Sequence, residues 1–110
     1  MSAIRFKIDK FTVKLYAVDK KGRRKRWGNR IISLYSGGKN IAQAVFGSDK
    51  RIIPEPFFSE GKIFYFAHSD QYPDVIDLLR NEKTVYIAWE PVHDSKEPKD
   101  GDAFFYTDSK

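Results

Sequence analysis

Residues 61–92 read GKIFYFAHSDQYPDVIDLLRNEKTVYIAWEPV, and this stretch decides the predicted fold. Two apolar, aromatic runs, Ile63–Ala67 and Val85–Trp89, flank a segment in which apolar residues recur at helical spacing. That segment begins at Pro73, and proline is well tolerated in the first turn of a helix because its missing N–H is not needed there. The stretch therefore predicts a strand, a short α-helix over about residues 73–81 and a second strand, with the helix packed on a β-sheet.

Both predicted strands of this unit are apolar on two faces, which is typical of strands that are covered on both sides. The 15 residues from Ser69 to Lys83 are long enough for a crossover between parallel neighbours. The alternative is that the two strands lie in the same sheet without being neighbours. Either arrangement places His68 and His93 at the same edge of the sheet.

The N-terminal residues alternate apolar and polar side chains in two runs, Ala3–Ile8 and Phe11–Ala17, so each run predicts a half-buried strand. The apolar phase slips between Ile8 and Phe11. A bulge at Asp9–Lys10 would give one long bent strand that crosses between two sides of a curved sheet, whereas a tight turn would give a hairpin. The sequence leaves both alternatives open.

Apolar runs predict the remaining strands, and glycine and proline mark the connections between them. The strands are Arg30–Tyr35, Ile41–Phe46 and Ala103–Thr107, with a hairpin turn at Ser36–Asn40 and a loop or sheet edge over residues 47–61. The predicted fold is thus a small α+β domain, a mainly antiparallel curved β-sheet with one short helix packed on it. A closed barrel or a sandwich, with the helix capping one end, is the alternative.

The length and composition indicate a single compact domain over residues 1–110, because half of this chain would be too short to bury a core of its own. Hydrophobic residues make up 41% of the chain, which is enough for a packed core. The chain has no cysteine, which excludes disulfides, thiolate metal sites and a cysteine nucleophile. No run has the pattern of a signal peptide or the roughly 20 apolar residues of a membrane span, so we expect a cytoplasmic protein without membrane contact.

Charge is divided unevenly along the chain. Residues 1–55 contain 14 Lys and Arg against 4 Asp and Glu, a net charge of +10, whereas residues 56–110 contain 6 against 11, a net charge of −5. Such asymmetry favours an acidic partner for the first half or self-association of the chain, although a solvated surface can also be divided this way. We expect a homodimer whose interface uses exposed strand faces or edges.

The most basic segment is DKKGRRKRWGNR, residues 19–30, which predicts the loop of a β-hairpin because apolar strands lie on both sides of it. Clustered Lys and Arg release counterions from phosphates, and Trp27, with Tyr16 and Tyr35, could stack on unpaired bases. The alternatives are a solvated hairpin tip and a site for an acidic protein. The predicted nucleic-acid-binding residues are Lys20, Lys21, Arg23, Arg24, Lys25, Arg26, Trp27 and Arg30.

The two histidines form a second candidate site with the carboxylates that follow them. If both strands end at one sheet edge, His68, Asp70, His93 and Asp94 gather there and offer ligands for a divalent metal or a His–Asp pair for acid–base catalysis. Their spacing matches no short metal or catalytic motif, and isolated histidines at strand ends are more often structural or simply exposed. We therefore predict no cofactor and no metal site. If the protein does bind a metal, these four residues are the weak candidates for its ligands.

These observations favour a non-enzymatic binding module that contacts nucleic acid, or another polyanion, through the basic loop at residues 20–30. A protein-interaction or homo-oligomeric module is the alternative, and a metal-dependent or acid–base enzyme that uses His68 and His93 comes third. The sequence carries no RRM aromatic consensus, and its predicted element order differs from that of an OB-fold. The nucleic-acid hypothesis therefore rests on charge and aromatic content.

Overall fold

The computed structural model describes residues 3–16, 28–48, 53–92 and 101–108. Strands dominate these ranges, and the prediction of a small β-rich α+β fold with one short helix is confirmed. No helix in the described ranges is long and apolar enough to span a bilayer. In chain order the elements are β1 (Ile4–Ile8), β2 (Lys10–Leu15), β3 (Arg30–Ser36), β4 (Lys39–Gly47), β5 (Phe57–Ser59), β6 (Lys62–His68), a 3₁₀ turn (Ser69–Gln71), α1 (Tyr72–Asn81), β7 (Val85–Pro91) and β8 (Gly101–Thr107).

The strands form two sheets. The first contains three antiparallel strands in the order β1-β7-β8, and the second contains five strands in the order β2-β3-β4-β6-β5. In the second sheet every neighbouring pair is antiparallel except β4 and β6. The two sheets share one hydrophobic core and do not close into a barrel, so the described strands form an open, sandwich-like pair of layers.

The predicted arrangement of the central unit is wrong in one respect. Both sequence alternatives place residues 62–68 and 84–90 in the same sheet, but β6 lies in the five-stranded sheet and β7 lies in the three-stranded sheet. Helix α1 connects the two layers, and Val75 is buried in the shared core with Tyr72, Ile76 and Leu79 packed beside it. Apolar side chains on both faces of a strand indicate cover on both sides, but they do not indicate which sheet holds the strand.

A bulge at Asp9 carries the chain from one sheet to the other. The backbone N–H of Asp9 donates to the carbonyl oxygen of Tyr35 at 3.0 Å, and Tyr35 is also the register partner of Lys10. Two consecutive residues therefore oppose one, which bends a strand and increases its twist. The Asp9 carboxylate also accepts a hydrogen bond from the N–H of Gly37 at 2.7 Å. The bent-strand alternative is thus correct, and β1 does not form a hairpin with β2.

The core lies between the two layers. The rings of Tyr65 and Phe105 meet edge-on across it, with their centroids 5.0 Å apart. Ala42 and Ala44 are fully buried on β4, where small side chains let the opposite layer approach closely. The largest fully buried side chains come from both sheets: Ile32, Leu34, Phe46 and Ile63 from the five-stranded sheet, and Ile87 and Trp89 from the three-stranded sheet.

The choice between a loop and a sheet edge before β6 is decided by β5, a strand of three residues at the edge of the five-stranded sheet. Pro54 and Pro56 precede it, and proline is confined to such edge positions because it cannot donate to a β-ladder. The turn into β6 places Glu60 at φ 53° and Gly61 at φ 78°. Within the described ranges, β5 and the 3₁₀ turn at Ser69–Gln71 are the elements that the sequence did not predict as such.

Candidate functional site

The described residues frame the basic loop as a hairpin. β2 and β3 are antiparallel neighbours, Leu15 lies opposite Arg30, and the N–H of Tyr16 donates to the carbonyl oxygen of Asn29 at 2.7 Å. Residues 17–27 lie outside the described ranges, and they include every predicted contact of the loop except Arg30. The hairpin frame is therefore confirmed, and the binding role of the loop stays a prediction.

Gly28 fixes the chain against the sheet where the loop returns to β3. A Cβ atom at this buried position would lie 2.6 Å from Cγ1 of Val45 and 2.7 Å from the carbonyl oxygen of Phe46. Real Cβ atoms essentially never come so close to backbone atoms, so only glycine fits without displacing β4. Gly28 thus permits close packing at the base of the loop.

Arg30 has a protein partner of its own at this base. Its guanidinium carbon lies 5.0 Å from the centroid of the Tyr72 ring, at the start of α1, and the Tyr72 ring meets Phe46 edge-on at 5.3 Å. A guanidinium in this position is attracted by the electron-rich face of the ring. Arg30 therefore holds the hairpin stem against the helix. It is the residue of the predicted cationic site that lies nearest to the sheet.

The two tyrosines proposed for base stacking lie at different distances from the loop. Tyr16 is half-buried at the loop base. Tyr35 lies near the other end of β3, five residues from Arg30, and this spacing corresponds to about 17 Å along a strand. The Lys10 ammonium lies 5.7 Å from the Tyr35 ring centroid. Tyr35 therefore does not belong to the loop base. Any contact between Tyr35 and a bound nucleic acid would lie further along the sheet.

His68 caps the 3₁₀ turn that precedes α1. Its Nδ1 accepts a hydrogen bond from the N–H of Asp70 at 3.1 Å, and its Nε2 lies 3.3 Å from the carbonyl oxygen of Ser48. The Asp70 carboxylate lies 3.1 Å from the same Nδ1 atom. In the tautomer that carries its proton on Nε2, both ring nitrogens bond to backbone groups. The ring thus ties the end of β4 to the start of the helical segment.

The predicted histidine site is only half described. His93 and Asp94 lie outside the described residues, so the prediction that they gather with His68 stays a prediction. Within the described ranges, no group of three or more His, Asp or Glu side chains is placed to hold a metal ion. The position of His68 is explained by its capping role.

Sequence reasoning missed an aromatic surface on the outer side of the three-stranded sheet. We call it the tyrosine face and define it by Arg5, Tyr86, Phe104 and Tyr106. The Tyr86 and Tyr106 rings stack with centroids 5.1 Å apart and planes 17° apart, and Phe104 lies 5.8 Å from Tyr106. The Arg5 guanidinium lies 5.0 Å from the Tyr86 centroid and donates to the Tyr106 hydroxyl at 3.2 Å. Only the pairing of β7 with β8 brings these rings together, which is why sequence spacing alone did not reveal them.

A shallow depression of about 350 Å³ lies on this face, with Ala3, Ile4, Arg5, Ala88, Glu90, Phe104 and Tyr106 around it. Ala88 is 5% exposed, and its small side chain leaves the space between the longer neighbours. Glu90 pairs in register with Asp102, so two carboxylates share this side of the sheet. Glu90 lines the depression and offsets the charge of Arg5, so the depression has no net positive charge to attract a polyanion.

The polar ends of the tyrosine face are satisfied within the protein. The Tyr86 hydroxyl donates to the Asp108 carboxylate at 3.0 Å, and this hydrogen bond raises the pKa of Tyr86 above its ordinary value of 10.0. The hydrogen bond with the Tyr106 hydroxyl likewise raises the pKa of Arg5. Since each ring also faces a neighbouring ring or guanidinium, the face is internally partnered rather than open for stacking on bases.

Comparison with protein family models, curated protein sequences and solved structures gave no significant match. The functional argument therefore rests on the residues of this chain.

Proposed function

We propose that this protein is a nucleic-acid-binding module that contacts the phosphate backbone through the basic loop at residues 20–30. One observation supports the proposal best: the hydrogen bond from Tyr16 to Asn29 holds the two ends of the loop together on a hairpin stem. Six cationic residues, Lys20, Lys21, Arg23, Arg24, Lys25 and Arg26, are thereby confined to one connection. Confined cations displace many counterions when they meet a polyanion, and that release favours binding.

The surface next to the stem extends this positive charge. The outward-facing residues of β2 are Lys10, Thr12 and Lys14, and β3 presents Ser33 beside them. No acidic side chain stands among these outward residues of β2. A nucleic-acid strand that leaves the loop along this face would meet cations and hydroxyls before it reached Tyr35. Beside the tyrosine face, in contrast, lie the carboxylates of Glu90 and Asp102, and its guanidinium, that of Arg5, already contacts Tyr86 and Tyr106. This difference is why we place the interface on the five-stranded sheet.

The salt dependence of binding tests the proposal. If about four cations contact a single strand, the slope of log affinity against log salt is near −3, from about 0.7 per contact. The variant with Arg23, Arg24, Lys25 and Arg26 replaced by Ser should flatten this slope and bind more weakly. The matched control replaces Lys39, Lys62, Arg80 and Lys83 by Ser, because it removes the same charge away from the loop. Fluorescence anisotropy with single-stranded and double-stranded oligonucleotides measures both.

Three outcomes would change or refine the proposal. Equal weakening by the loop variant and its control would show generic attraction between a basic protein and a polyanion. Absence of salt-sensitive binding at low ionic strength would show that the proposal is wrong. A loss of about 1–3 kcal/mol for single strands in Trp27→Ala, with little change for duplexes, would assign base stacking to this residue.

A protein-interaction or homo-oligomeric role is the second candidate. It is favoured by an observation independent of the basic loop: Val13 is 40% exposed and Leu15 is 69% exposed on an edge strand. An enzymatic role for His68 comes third: the Asp70 carboxylate lies 3.1 Å from its Nδ1, but both ring nitrogens also meet the backbone, at Asp70 and Ser48.

A further inference from the structure

Strand β2 is an edge strand with apolar side chains that the core does not cover. Phe11, Val13 and Leu15 lie on the core-facing side of the sheet, opposite Leu34, Ile32 and Arg30 in register. Phe11 packs against the core, but Val13 and Leu15 project beyond it, and Leu15 is the most exposed large apolar residue of the described ranges. Exposed apolar edge strands are templates for pairing with another chain.

The other sheet edges are better protected. β5 is only three residues long and follows two prolines. The apolar residues of β1, namely Ile4, Phe6 and Ile8, pack against the core, as do Ala103 and Phe105 of β8. Among the four edges of the described sheets, β2 differs because two apolar side chains on its core-facing side, Val13 and Leu15, are 40% and 69% exposed.

The backbone of β2 also presents hydrogen-bonding groups at this edge. The bond from Tyr16 to Asn29 marks these two residues as a hydrogen-bonded pair of the antiparallel ladder. Hydrogen-bonded pairs alternate along such a ladder, so Lys10, Thr12 and Lys14 bond to β3. The N–H and C=O groups of Phe11, Val13 and Leu15 consequently point away from β3, toward any strand that adds to the edge.

We propose that β2 pairs antiparallel with β2 of a second copy of this chain, in the register that places Val13 opposite Val13. This register sets Phe11 against Leu15 of the second copy and Thr12 against Lys14 of the second copy. Every outward-pointing backbone group from Phe11 to Leu15 then meets its counterpart, and every apolar side chain meets an apolar side chain on the same face. The exposed surface of Val13 and Leu15 is thereby reduced.

Neighbouring registers are worse for identifiable reasons. Centring the pair on Thr12 sets Lys10 against Lys14 of the second copy, and centring it on Lys14 sets two copies of Lys14 against each other. Like charges directly opposite on a sheet are destabilising. Centring the pair on Phe11 avoids this but leaves Leu15 outside the ladder. Self-complementarity in one register points to a second copy rather than to an unrelated strand.

The pairing would join two five-stranded sheets into one sheet of ten strands. It would also place the two hairpin stems at opposite ends of the new ladder, with the Tyr16 residues about 20 Å apart along the strand direction. A contact between two six-residue strands is smaller than the standard interface of about 1,600 Å², so we expect dissociation at micromolar concentrations. The dimer does not depend on the proposed nucleic-acid function.

Charge substitution at the centre of the ladder tests the pairing by analytical ultracentrifugation. Val13→Lys and Val13→Glu should each weaken dimerisation about 100-fold, because each places like charges face to face. An equimolar mixture of the two variants should restore the dimer, since opposite charges then meet. Val92→Lys, a change at another exposed apolar position, is the control and should leave dimerisation unchanged. A wild-type monomer at about 1 mM in low and high salt, or a dimer that persists in Val13→Lys, would overturn the proposal.

A single introduced cysteine tests the register, because the chain has no cysteine of its own. Val13→Cys should form a disulfide-linked dimer under mild oxidation. Thr12→Cys should not, because the Cα atoms of residue 12 would lie about 8 Å apart in this register, beyond the reach of a disulfide. Efficient cross-linking of Thr12→Cys and none of Val13→Cys would contradict the register while leaving the edge contact in place. Cross-linking of neither would overturn the edge contact itself.

Discussion

The outer faces of the two sheets are both lined with aromatic rings, but the rings are held in different ways. The five-stranded sheet carries what we call the phenylalanine face, formed by Phe57, Phe64 and Phe66. Phe57 stacks on Phe64 with centroids 4.5 Å apart and lies 5.9 Å from Phe66. On the tyrosine face of the three-stranded sheet, the rings are also fixed through their hydroxyl groups, to Arg5 and to Asp108.

The difference shows two ways to keep exposed aromatic rings in place. A tyrosine can present its ring to a neighbour and its hydroxyl to a charged group, so it stays ordered in contact with water. A phenylalanine has no polar end, so its order depends on packing against other rings. We therefore expect the phenylalanine face to respond to loss of ring area and the tyrosine face to respond to charge and pH.

The largest effect should come from Trp89, because both faces depend on the core beneath them. Trp89 is 1% exposed and belongs to the core that the two sheets share. Trp89→Ala should lower the free energy of unfolding by about 3–5 kcal/mol, measured by urea denaturation followed by circular dichroism. Val92→Ala, at a position that is 47% exposed, is the control and should change little. Two separate transitions in the Trp89 variant would show that the sheets do not share a single cooperative core.

The second effect concerns the phenylalanine face. Phe57→Leu and Phe64→Leu each keep an apolar side chain but remove one ring of the stacked pair. A double-mutant cycle on urea unfolding should give a coupling energy of about 0.5–1.5 kcal/mol between the two positions. A coupling energy near zero would mean that the stacked geometry adds nothing to simple burial, and the contrast between the two faces would then weaken.

The third effect, smaller than that of either phenylalanine substitution, concerns Arg5. Arg5→Gln removes the cation above Tyr86 and the charged donor to Tyr106. We expect a modest loss of stability in low salt that is largely absent in high salt, because exposed charges are screened. The near-ultraviolet circular dichroism of the stacked tyrosines should also decrease. Lys7→Gln removes the same charge from the same strand and face, and an equal effect there would show that only net charge matters.

The fourth effect is the titration of two tyrosines. It should not change stability at neutral pH and should appear only in alkaline solution. Burial raises the pKa of Tyr65, and the hydrogen bond to Asp108 raises the pKa of Tyr86, both above 10.0. A raised pKa in the folded state means that the neutral phenol stabilises the fold below pH 10 and that this contribution is lost as pH rises through the folded pKa. The free energy of unfolding should therefore fall above about pH 10.

Tyrosinate absorbance and urea midpoints across this range measure the alkaline effect. Tyr86→Phe and Tyr65→Phe should each reduce the steepness of the decline, and the double variant should reduce it most. Unchanged alkaline unfolding in the double variant would place the responsible groups elsewhere.

The elements that could be predicted from sequence are those with local causes. Pro73 and the apolar spacing of Val75 and Leu79 located α1, and the slip of phase at Asp9 located the bulge. The assignment of β6 and β7 to different sheets could not be predicted, because both strands are apolar on two faces and the distinction depends on their partners.

The candidate site divides in the same way. Alternating strands around a Gly-containing basic segment correctly predicted the hairpin stem. The distance of Tyr35 from the loop, the contact of Arg30 with Tyr72 and the bond of His68 to Ser48 all join residues brought together by tertiary packing. Nothing in the spacing of these residues along the chain indicates such contacts.

The hydrogen bond between Tyr16 and Asn29 closes the base of the loop. The loop can therefore be exchanged without changing the strands that carry it. When two strands are hydrogen-bonded up to the start of a loop, the stability of the sheet depends only weakly on the length of that loop. Each doubling of loop length adds only about 0.6 kcal/mol of closure entropy. Residues 17–28 could therefore be replaced by a two-residue Asn-Gly turn, or residues 17–27 by a foreign peptide. The domain would then serve as a display scaffold, with one graft per chain and a defined spacing between grafts in a dimer.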